Sequence, residues 1–184
     1  MKMFKRENTA LVPLEEDHVP LLLEWLNDPK ITQYLPIHLP MREAEEREWI
    51  RKLYTAGSVA RIVFVIKAIG EEGPSSSLIG TVGIHRINWK DRDAEVGITI
   101  GESSYWRHGY GTNAMEMVVE HAFKNLNLHR LHARVYTFNE GGIALQKKVG
   151  FREEGRFREA VFKNGEYHDI ISYGLLETEW ENRK

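Results

Sequence analysis

The 184-residue sequence contains no cysteine, which excludes disulfide bonds, thiolate metal sites and a cysteine nucleophile and fits a reducing compartment. It also lacks a strong charge bias: 25 basic and 27 acidic residues give a formal net charge of −2, so we expect no nucleic-acid partner. The longest apolar runs, such as residues 62–66, are too short to cross a bilayer, and residues 1–7 have no apolar stretch typical of a signal peptide. We therefore expect a cytoplasmic protein without membrane association.

The most informative stretch is a glycine loop at residues 105–112, which lies between a predicted strand at 94–100 and a strongly periodic helix. The apolar face of that helix is formed by Met115, Val118, Val119, Ala122, Phe123 and Leu126. Gly109 and Gly111 have no Cβ atoms and would let a ligand approach the main chain closely. The free N–H groups of the first helical turn favour an anion, and Arg107 and His108 add positive charge. The pattern predicts a phosphate-binding strand–loop–helix unit.

Shorter patterns surround this unit, and the chain length favours one domain. Strands are predicted at residues 10–14, 61–69, 78–89, 94–100 and 131–136, followed by a hairpin of 155–162 with 167–176 around Asn164-Gly165. Helices are predicted after a cap at Asp17, at 42–54, after the glycine loop, and from a cap at Asn139 through Lys148, with a loop at 31–41 and a turn at 70–77. Only the strand–helix–strand unit requires a parallel pair. The prediction is an α/β fold with a mixed, mostly antiparallel central sheet flanked by helices.

Three segments, in this order, resemble the GNAT superfamily of acetyl-coenzyme A-dependent N-acetyltransferases, and most of all its RimJ/RimL-type branch, which acetylates ribosomal-protein N-termini. They are Ala94-Glu95-Val96-Gly97 with the strand after it, Trp106-Arg107-His108-Gly109-Tyr110-Gly111, and Asn139-Glu140-Gly141-Gly142 reaching Lys148-Val149-Gly150-Phe151. The resemblance implies a single N-acetyltransferase domain at residues 9–176, with short terminal extensions at 1–8 and 177–184. It also implies acetyl-CoA as the cosubstrate and no metal.

The resemblance further implies that the parallel strand pair splays apart at the cofactor site. Main-chain N–H groups from Arg107 to Thr112 would hold the coenzyme pyrophosphate. Residues 98–100 would pair with the pantetheine arm, with the Ile100 N–H facing the thioester oxygen. The implied cofactor-binding residues are Ile98, Thr99, Ile100, Trp106, Arg107, His108, Gly109, Tyr110, Gly111, Thr112, Asn139 and Lys148.

Acetyl transfer to an amine requires a base, because an amine with a pKa near about 10 is mostly protonated at neutral pH. Glu95 is the first candidate, since it lies on the strand entering the cofactor site, where related enzymes of this branch place a catalytic glutamate. His85 or a water chain is the alternative, and His132 is interpreted as structural or exposed. With Asn139, which would orient a water molecule or a pantetheine group, Glu95 completes the predicted catalytic set.

The general acid is where this sequence departs from the wider family. Many members have a tyrosine on the helix after the asparagine, but the matching residue here is Gln146, and Gly142 replaces a common serine. The alternatives are water held by Asn139, or a tyrosine from elsewhere such as Tyr110 or Tyr173. A further alternative is no acid, because a thiolate of pKa about 8.5 is a tolerable leaving group.

The acceptor pocket is expected between the first two helices, the loop that joins them and the closing hairpin. Candidate wall residues are Trp25, Tyr34, Leu35, Trp49, Phe162 and Tyr167, of which the first and fourth are interpreted chiefly as core. Glu24, Asp28 and Asp169 could attract a cationic amine. The acceptor is a small amine or a protein N-terminus, and the branch resemblance allows a homodimer.

Two other interpretations remain. Gly109, Gly111 and Ala114 satisfy the glycine pattern of dinucleotide-binding domains, but residues 101–108 separate them from the strand, and no acidic residue ends a strand about 20 residues on. A coenzyme A-binding sensor with this fold and little catalysis would fit Gln146 and Gly142.

Overall fold

One eight-stranded sheet runs through the computed structural model, which describes residues 4–37, 40–55, 60–70 and 77–183. The strands are β1 (Phe4–Arg6), β2 (Thr9–Pro13), β3 (Ile62–Ala68), β4 (Leu78–Asn88), β5 (Asp93–Ile100), β6 (Arg130–Tyr136), β7 (Arg152–Lys163) and β8 (Glu166–Leu176). Their order in the sheet is β1-β2-β3-β4-β5-β6-β8-β7, and only β5 with β6 is a parallel pair. The predicted α/β fold with a mixed, mostly antiparallel sheet is confirmed.

Helices cover both faces of this sheet. They are α1 (Val19–Leu26), α2 (Pro29–Thr32), α3 (Glu43–Thr55), α4 (Tyr110–Lys124), α5 (Glu140–Val149) and α6 (Glu177–Glu181). The prediction that Asp17 caps the first helix is wrong, because Asp17 lies in a 3₁₀ turn and α1 begins two residues later. Residues 71–76 of the predicted turn, and 38–39 of the predicted loop, lie outside the described residues.

The two ends of the chain contribute elements beyond the predicted limits of residues 9–176. In β1, the Phe4 ring packs edge-on against Phe64 at a centroid distance of 5.6 Å. In α6, Trp180 lies 5.5 Å from Phe123. Both elements therefore contact the core, and the domain limits themselves stay a prediction.

Two apolar clusters hold the helices to the sheet. Helix α4 packs on one face and buries nine of its residues, as its periodicity predicted. Helices α1 and α3 pack on the other face, where Trp25 is buried and Trp49 is partly buried. The core interpretation of these two tryptophans is thus correct, and it removes them from the acceptor wall.

The parallel pair opens after three residues. Asp93, Ala94 and Glu95 pair with residues 130–132 of β6. Beyond them β5 continues to Ile100 paired only with β4, whereas β6 continues to Tyr136 paired only with β8. The space between residues 96–100 and 133–136 is called here the splay cleft.

Charged side chains flank the closed end of the splay cleft. Arg130 lies 2.6 Å from Glu154 and 3.4 Å from Asp93, and the His132 ring nitrogen lies 3.3 Å from the same aspartate. These contacts agree with a structural role for His132. They link the paired first residues of β5 and β6 to strand β7 of the neighbouring hairpin.

Candidate active site

Alternate main-chain groups of β5 face the splay cleft. The Gly101 N–H donates to the Ile79 carbonyl at 2.9 Å, so Gly101 pairs with β4. In an antiparallel ladder alternate residues use both of their main-chain groups in this way, which makes Thr99 the next residue bonded to β4. The N–H groups of Ile98 and Ile100 therefore face the splay cleft, and the prediction that the Thr99 main chain lines it is wrong.

The side chain of Trp106 crosses the end of this open edge. Its indole Nε1–H donates to the Ile100 carbonyl at 2.9 Å, which agrees with that carbonyl facing away from β4. The Ile100 N–H is left available to a ligand.

The glycine loop turns sharply before α4. Arg107 has φ 64° and Gly109, the residue before the helix, has φ 89°, a region that costs glycine little. Successive N–H groups in such a loop, with the free ones of the first helical turn, form an anion-binding concavity. The Arg107 and His108 side chains are exposed beside it. The arrangement suits a pyrophosphate.

Gly111 and Thr112 continue this concavity, and Tyr110 begins α4 with a buried side chain. A Cβ atom on Gly111 would meet Ile98 only at 3.7 Å, which is ordinary contact. The protein's own packing therefore does not require glycine at this position, whereas a close ligand would. The Tyr110 ring is 4% exposed and packs on Tyr105, so only its main chain faces the loop.

Asn139 is the N-cap of α5, as predicted. Its side-chain oxygen accepts the Gly142 N–H at 2.9 Å, and a Cβ atom on Gly142 would lie 2.8 Å from the asparagine amide nitrogen. A serine at residue 142 would therefore require the Asn139 side chain or the neighbouring Val135 to shift. Lys148 lies in the last turn of the same helix, roughly 13 Å along its axis, so the structure does not bring it to Asn139.

Two acid–base candidates lie together at the closed end of the splay cleft. Ala94 and Val96 face the α4 core, so Glu95 between them faces the other side of the sheet. His85 is its cross-strand partner, and its ring lies over two glycines, with Nε2 3.0 and 3.6 Å from Cβ positions built on Gly83 and Gly97.

The charges around this pair differ in their effect. Burial, with Arg61 and Arg86, lowers the pKa of His85 although Glu95 raises it, so the environment favours the neutral imidazole. The Glu95 carboxylate forms an ion pair with Arg86, whose Nη1 lies 2.7 Å from Oε2. The imidazole and the paired carboxylate are therefore side by side.

Gln146, which replaces the usual tyrosine, and Tyr173, a candidate general acid, are both sealed from solvent. Gln146 is 4% exposed and Tyr173 is 0% exposed. Within the described part of the chain, neither the Gln146 Oε1 nor the Tyr173 hydroxyl has a hydrogen-bond partner. Burial raises the pKa of Tyr173. Both groups are core components, and Tyr173 is not accessible as a proton donor.

An aromatic chain crosses the open end of the splay cleft. Trp106 contacts Tyr34, and Tyr34 contacts Phe138, which also contacts Tyr136 and His168, with centroid distances of 4.5 to 6.2 Å. Trp106 is bonded to the end of β5, and Phe138 follows β6. Sequence reasoning named Tyr34 but missed Phe138, although its position directly before the predicted cap could have indicated it.

The other predicted acceptor residues are used elsewhere. At the tip of the hairpin, Phe162 and Tyr167 pack on each other and remain 58% and 65% exposed. Asp28 caps α2 through the Lys30 N–H. The Glu159 N–H and then Arg156 lower the pKa of Asp169. Leu35 is half-buried and Glu24 is exposed.

Neither a metal centre nor a membrane-spanning helix is present among the described residues. No group of three or more histidine, aspartate or glutamate side chains among them could hold a metal ion. No helix in the same residues is long and apolar enough to cross a membrane.

Comparisons with known proteins give a family match and several relatives of this chain. Residues 8–152 match the family model described as acetyltransferase (GNAT) domain. The chain is similar to the uncharacterized N-acetyltransferase p20 of Bacillus licheniformis, with 26% identity over 98% of this chain and 99% of that protein. A spermidine N(1)-acetyltransferase of Vibrio cholerae is 31% identical over 61% of this chain and 64% of that protein.

The sheet with its splay cleft also has a solved counterpart. The structure of spermidine N-acetyltransferase from Vibrio cholerae in complex with CoA and spermine superposes with a TM-score of 0.86 and 25% identity. It covers 96% of this chain and 100% of that chain.

Proposed function

The chain belongs to the GNAT acetyltransferase family, and from this premise we propose that it acetylates a primary amine of a small, positively charged acceptor. N-acetyltransferase activity and the use of acetyl-CoA, both predicted from the sequence, are confirmed by the family match and by the relatives. The observation that carries the proposal is the placement of His85, whose pKa is lowered by burial, directly across from Glu95, which pairs with Arg86, at the closed end of the splay cleft. That pair suits an amine that arrives as an ammonium ion.

We assign cofactor binding to main-chain groups of two elements. N–H groups of the loop from Arg107 to Thr112 would bind the pyrophosphate, and those of Ile98 and Ile100 would bind the pantetheine arm and the carbonyl oxygen. Acetyl-CoA, when bound, supplies the acetyl group as an activated thioester. An N–H aimed at an oxygen on which negative charge develops typically contributes about 3–4 kcal/mol to catalysis.

We assign the base to His85 rather than to Glu95, the first sequence candidate. A neutral imidazole can accept the ammonium proton at Nε2, whereas the Glu95 carboxylate is already paired with Arg86. Glu95 would be available to a further positive charge of the acceptor near the imidazole. No general acid is assigned, because Gln146 and Tyr173 are buried and a thiolate of pKa about 8.5 can leave unprotonated.

The test is thiol release from acetyl-CoA across a panel of amines, including diamines, polyamines and N-terminal peptides. We expect turnover of a small cationic amine and a loss of about 10²-fold or more in kcat for His85→Gln, with CoA affinity retained. His129→Gln, at an exposed histidine near the start of β6, is the matched control and should behave as wild type. Full activity in His85→Gln would return Glu95 or a water chain to first place.

One observation favours a second function. The buried, unpartnered Gln146 oxygen replaces the family tyrosine, as would suit a CoA-binding sensor with little catalysis. Tight CoA binding without turnover of any amine in the panel would support it. Turnover of peptides alone would instead assign a protein N-terminus as the acceptor, and the predicted homodimer awaits a measurement of mass in solution.

A further inference from the structure

A bulge in β4 brings Arg86 onto the face of the active site. Ile84 and Ile87 both lie in the core, although alternation would put residues three apart on opposite faces. The register with β5 passes from His85–Glu95 to Asn88–Asp93, so β4 has one residue more than its partner. The bulge therefore re-aims Arg86 to the same side as its neighbour His85.

The backbone at this point is in an uncommon conformation. Arg86 has φ 50°, in the left-handed region that few residues other than glycine adopt. Its guanidinium Nη1 lies 2.7 Å from Glu95 Oε2, and the side chains are 65% and 18% exposed. An ion pair with an exposed partner contributes little net stability, so this contact gives small structural benefit for a strained backbone.

We propose that Arg86 is a specificity-determining residue that occupies Glu95 until a second positive charge of the acceptor replaces it. This inference rests on the proposed acetylation of a cationic amine. The reacting nitrogen of the acceptor must become neutral at His85, so it gains little from Glu95. A second ammonium group on the same molecule keeps its charge and competes directly with the guanidinium. Arg86 thus sets the concentration at which linear diamines and polyamines bind.

The first experiment compares unbranched diamines with monoamines of equal chain length. Arg86→Asn removes the guanidinium and suits the left-handed backbone. We expect the KM of diamines to fall about fivefold, which is about 1 kcal/mol at 1.4 kcal/mol per tenfold. The KM of monoamines should not change. Arg86→Lys, which keeps a positive charge, should retain the wild-type KM, and adding Glu95→Gln to Arg86→Asn should abolish the gain.

A matched control comes from a similar ion pair outside the site. Arg152 lies 2.6 Å from Glu179, with side-chain exposures of 74% and 22%. Arg152→Asn should leave both amine classes unaffected. An increased diamine KM in Arg86→Asn, or equal shifts for diamines and monoamines, would overturn the proposal, because Arg86 would then bind substrate or only support the bulge.

Calorimetric titration of a diamine into the CoA-bound protein separates this inference from the proposed function. It reads affinity without turnover. Tighter diamine binding by Arg86→Asn supports the role of Arg86 even if no amine is acetylated. The absence of acetylation would contradict only the proposed reaction. Equal affinity in the two proteins overturns the inference, whatever the turnover.

Discussion

The two halves of β5 share β4 as one neighbour and differ in the other. Residues 93–95 pair with β6 on the second side, and ion pairs of Arg130 flank that pairing. Residues 96–100 pair with no strand of the described residues on the second side, and the N–H groups of Ile98 and Ile100 face the splay cleft. One strand thus divides two tasks: its first half contributes to stability, and its second half leaves hydrogen-bonding groups for a ligand.

The largest effect is expected in the open half of β5, residues 96–100, where the Ile100 N–H would bind the carbonyl oxygen of acetyl-CoA. Ile100→Pro removes an N–H that makes no ladder bond, so the protein should fold, whereas kcat should fall about 10²- to 10³-fold. Thr99→Pro removes an N–H that faces β4 and should instead lower the unfolding temperature. Steady-state kinetics and thermal unfolding read the two effects. Equal destabilisation by both prolines would contradict the alternation assigned to β5.

In the closed half of β5, residues 93–95, Arg130→Met leaves Asp93 and Glu154 without their arginine partner. We expect a loss of about 1 kcal/mol in the free energy of unfolding, at the upper end for partly exposed ion pairs because two carboxylates lose their partner, and an unchanged affinity for CoA. Urea denaturation with calorimetric titration checks both. Arg42→Met, at an exposed pair with Glu45, is the control and should cost under about 0.5 kcal/mol. Lost CoA affinity without lost stability would remove the distinction between the halves.

Two glycines have the same φ of 89°, so substitutions at both can distinguish an effect on backbone strain from an effect on ligand binding. Gly109 begins the anion-binding turn and Gly165 lies in the hairpin, and a Cβ atom would meet open space at both. Each Gly→Ala change should cost about 1 kcal/mol of stability. Only Gly109→Ala should weaken CoA binding, as measured by calorimetry. Weakening of similar size in both variants would place the phosphates elsewhere.

The smallest effect concerns a site remote from both halves. Burial lowers the pKa of His121, whose ring packs against Phe4 and Phe64. Because the unfolded chain takes up the proton at higher pH, this contribution to stability is present above about pH 6.5 and is lost as the pH falls. His121→Phe should therefore show a flatter decrease in unfolding temperature between about pH 7 and pH 5. An unchanged slope would assign the pH dependence to other groups, His85 included.

Much of the fold could be predicted because it depends on local pattern. Helix α4 has a long apolar period, and Asn164 and Gly165 have the two positive φ angles, 54° and 89°, that their sequence favours in a hairpin turn. Strand β7 begins at Arg152, whereas the predicted start was residue 155. The start was missed because the first nine residues of the strand are all exposed, so no alternation of apolar and polar residues marks it. Helix α2 has four residues, too few for a period.

The same distinction between local patterns and contacts of distant segments applies to the candidate site. The cap at Asn139 follows from chain order and is present in the structure, whereas the loop donors, which also follow from chain order, stay a prediction. The error at Thr99 arose because a pattern of side chains does not reveal which edge a main-chain group faces. The roles of Arg86 and Phe138 depend on a bulge and on contacts between distant segments, which no local pattern contains.

The alternation along β5 also predicts a pattern of isotope exchange. The Thr99 amide hydrogen is protected by β4 in the free protein, while those of Ile98 and Ile100 should exchange rapidly with deuterated solvent. Coenzyme binding should slow the latter two and leave Thr99 almost unchanged. This strand therefore contains its own internal reference, and three neighbouring amide resonances suffice to follow occupancy of the cleft.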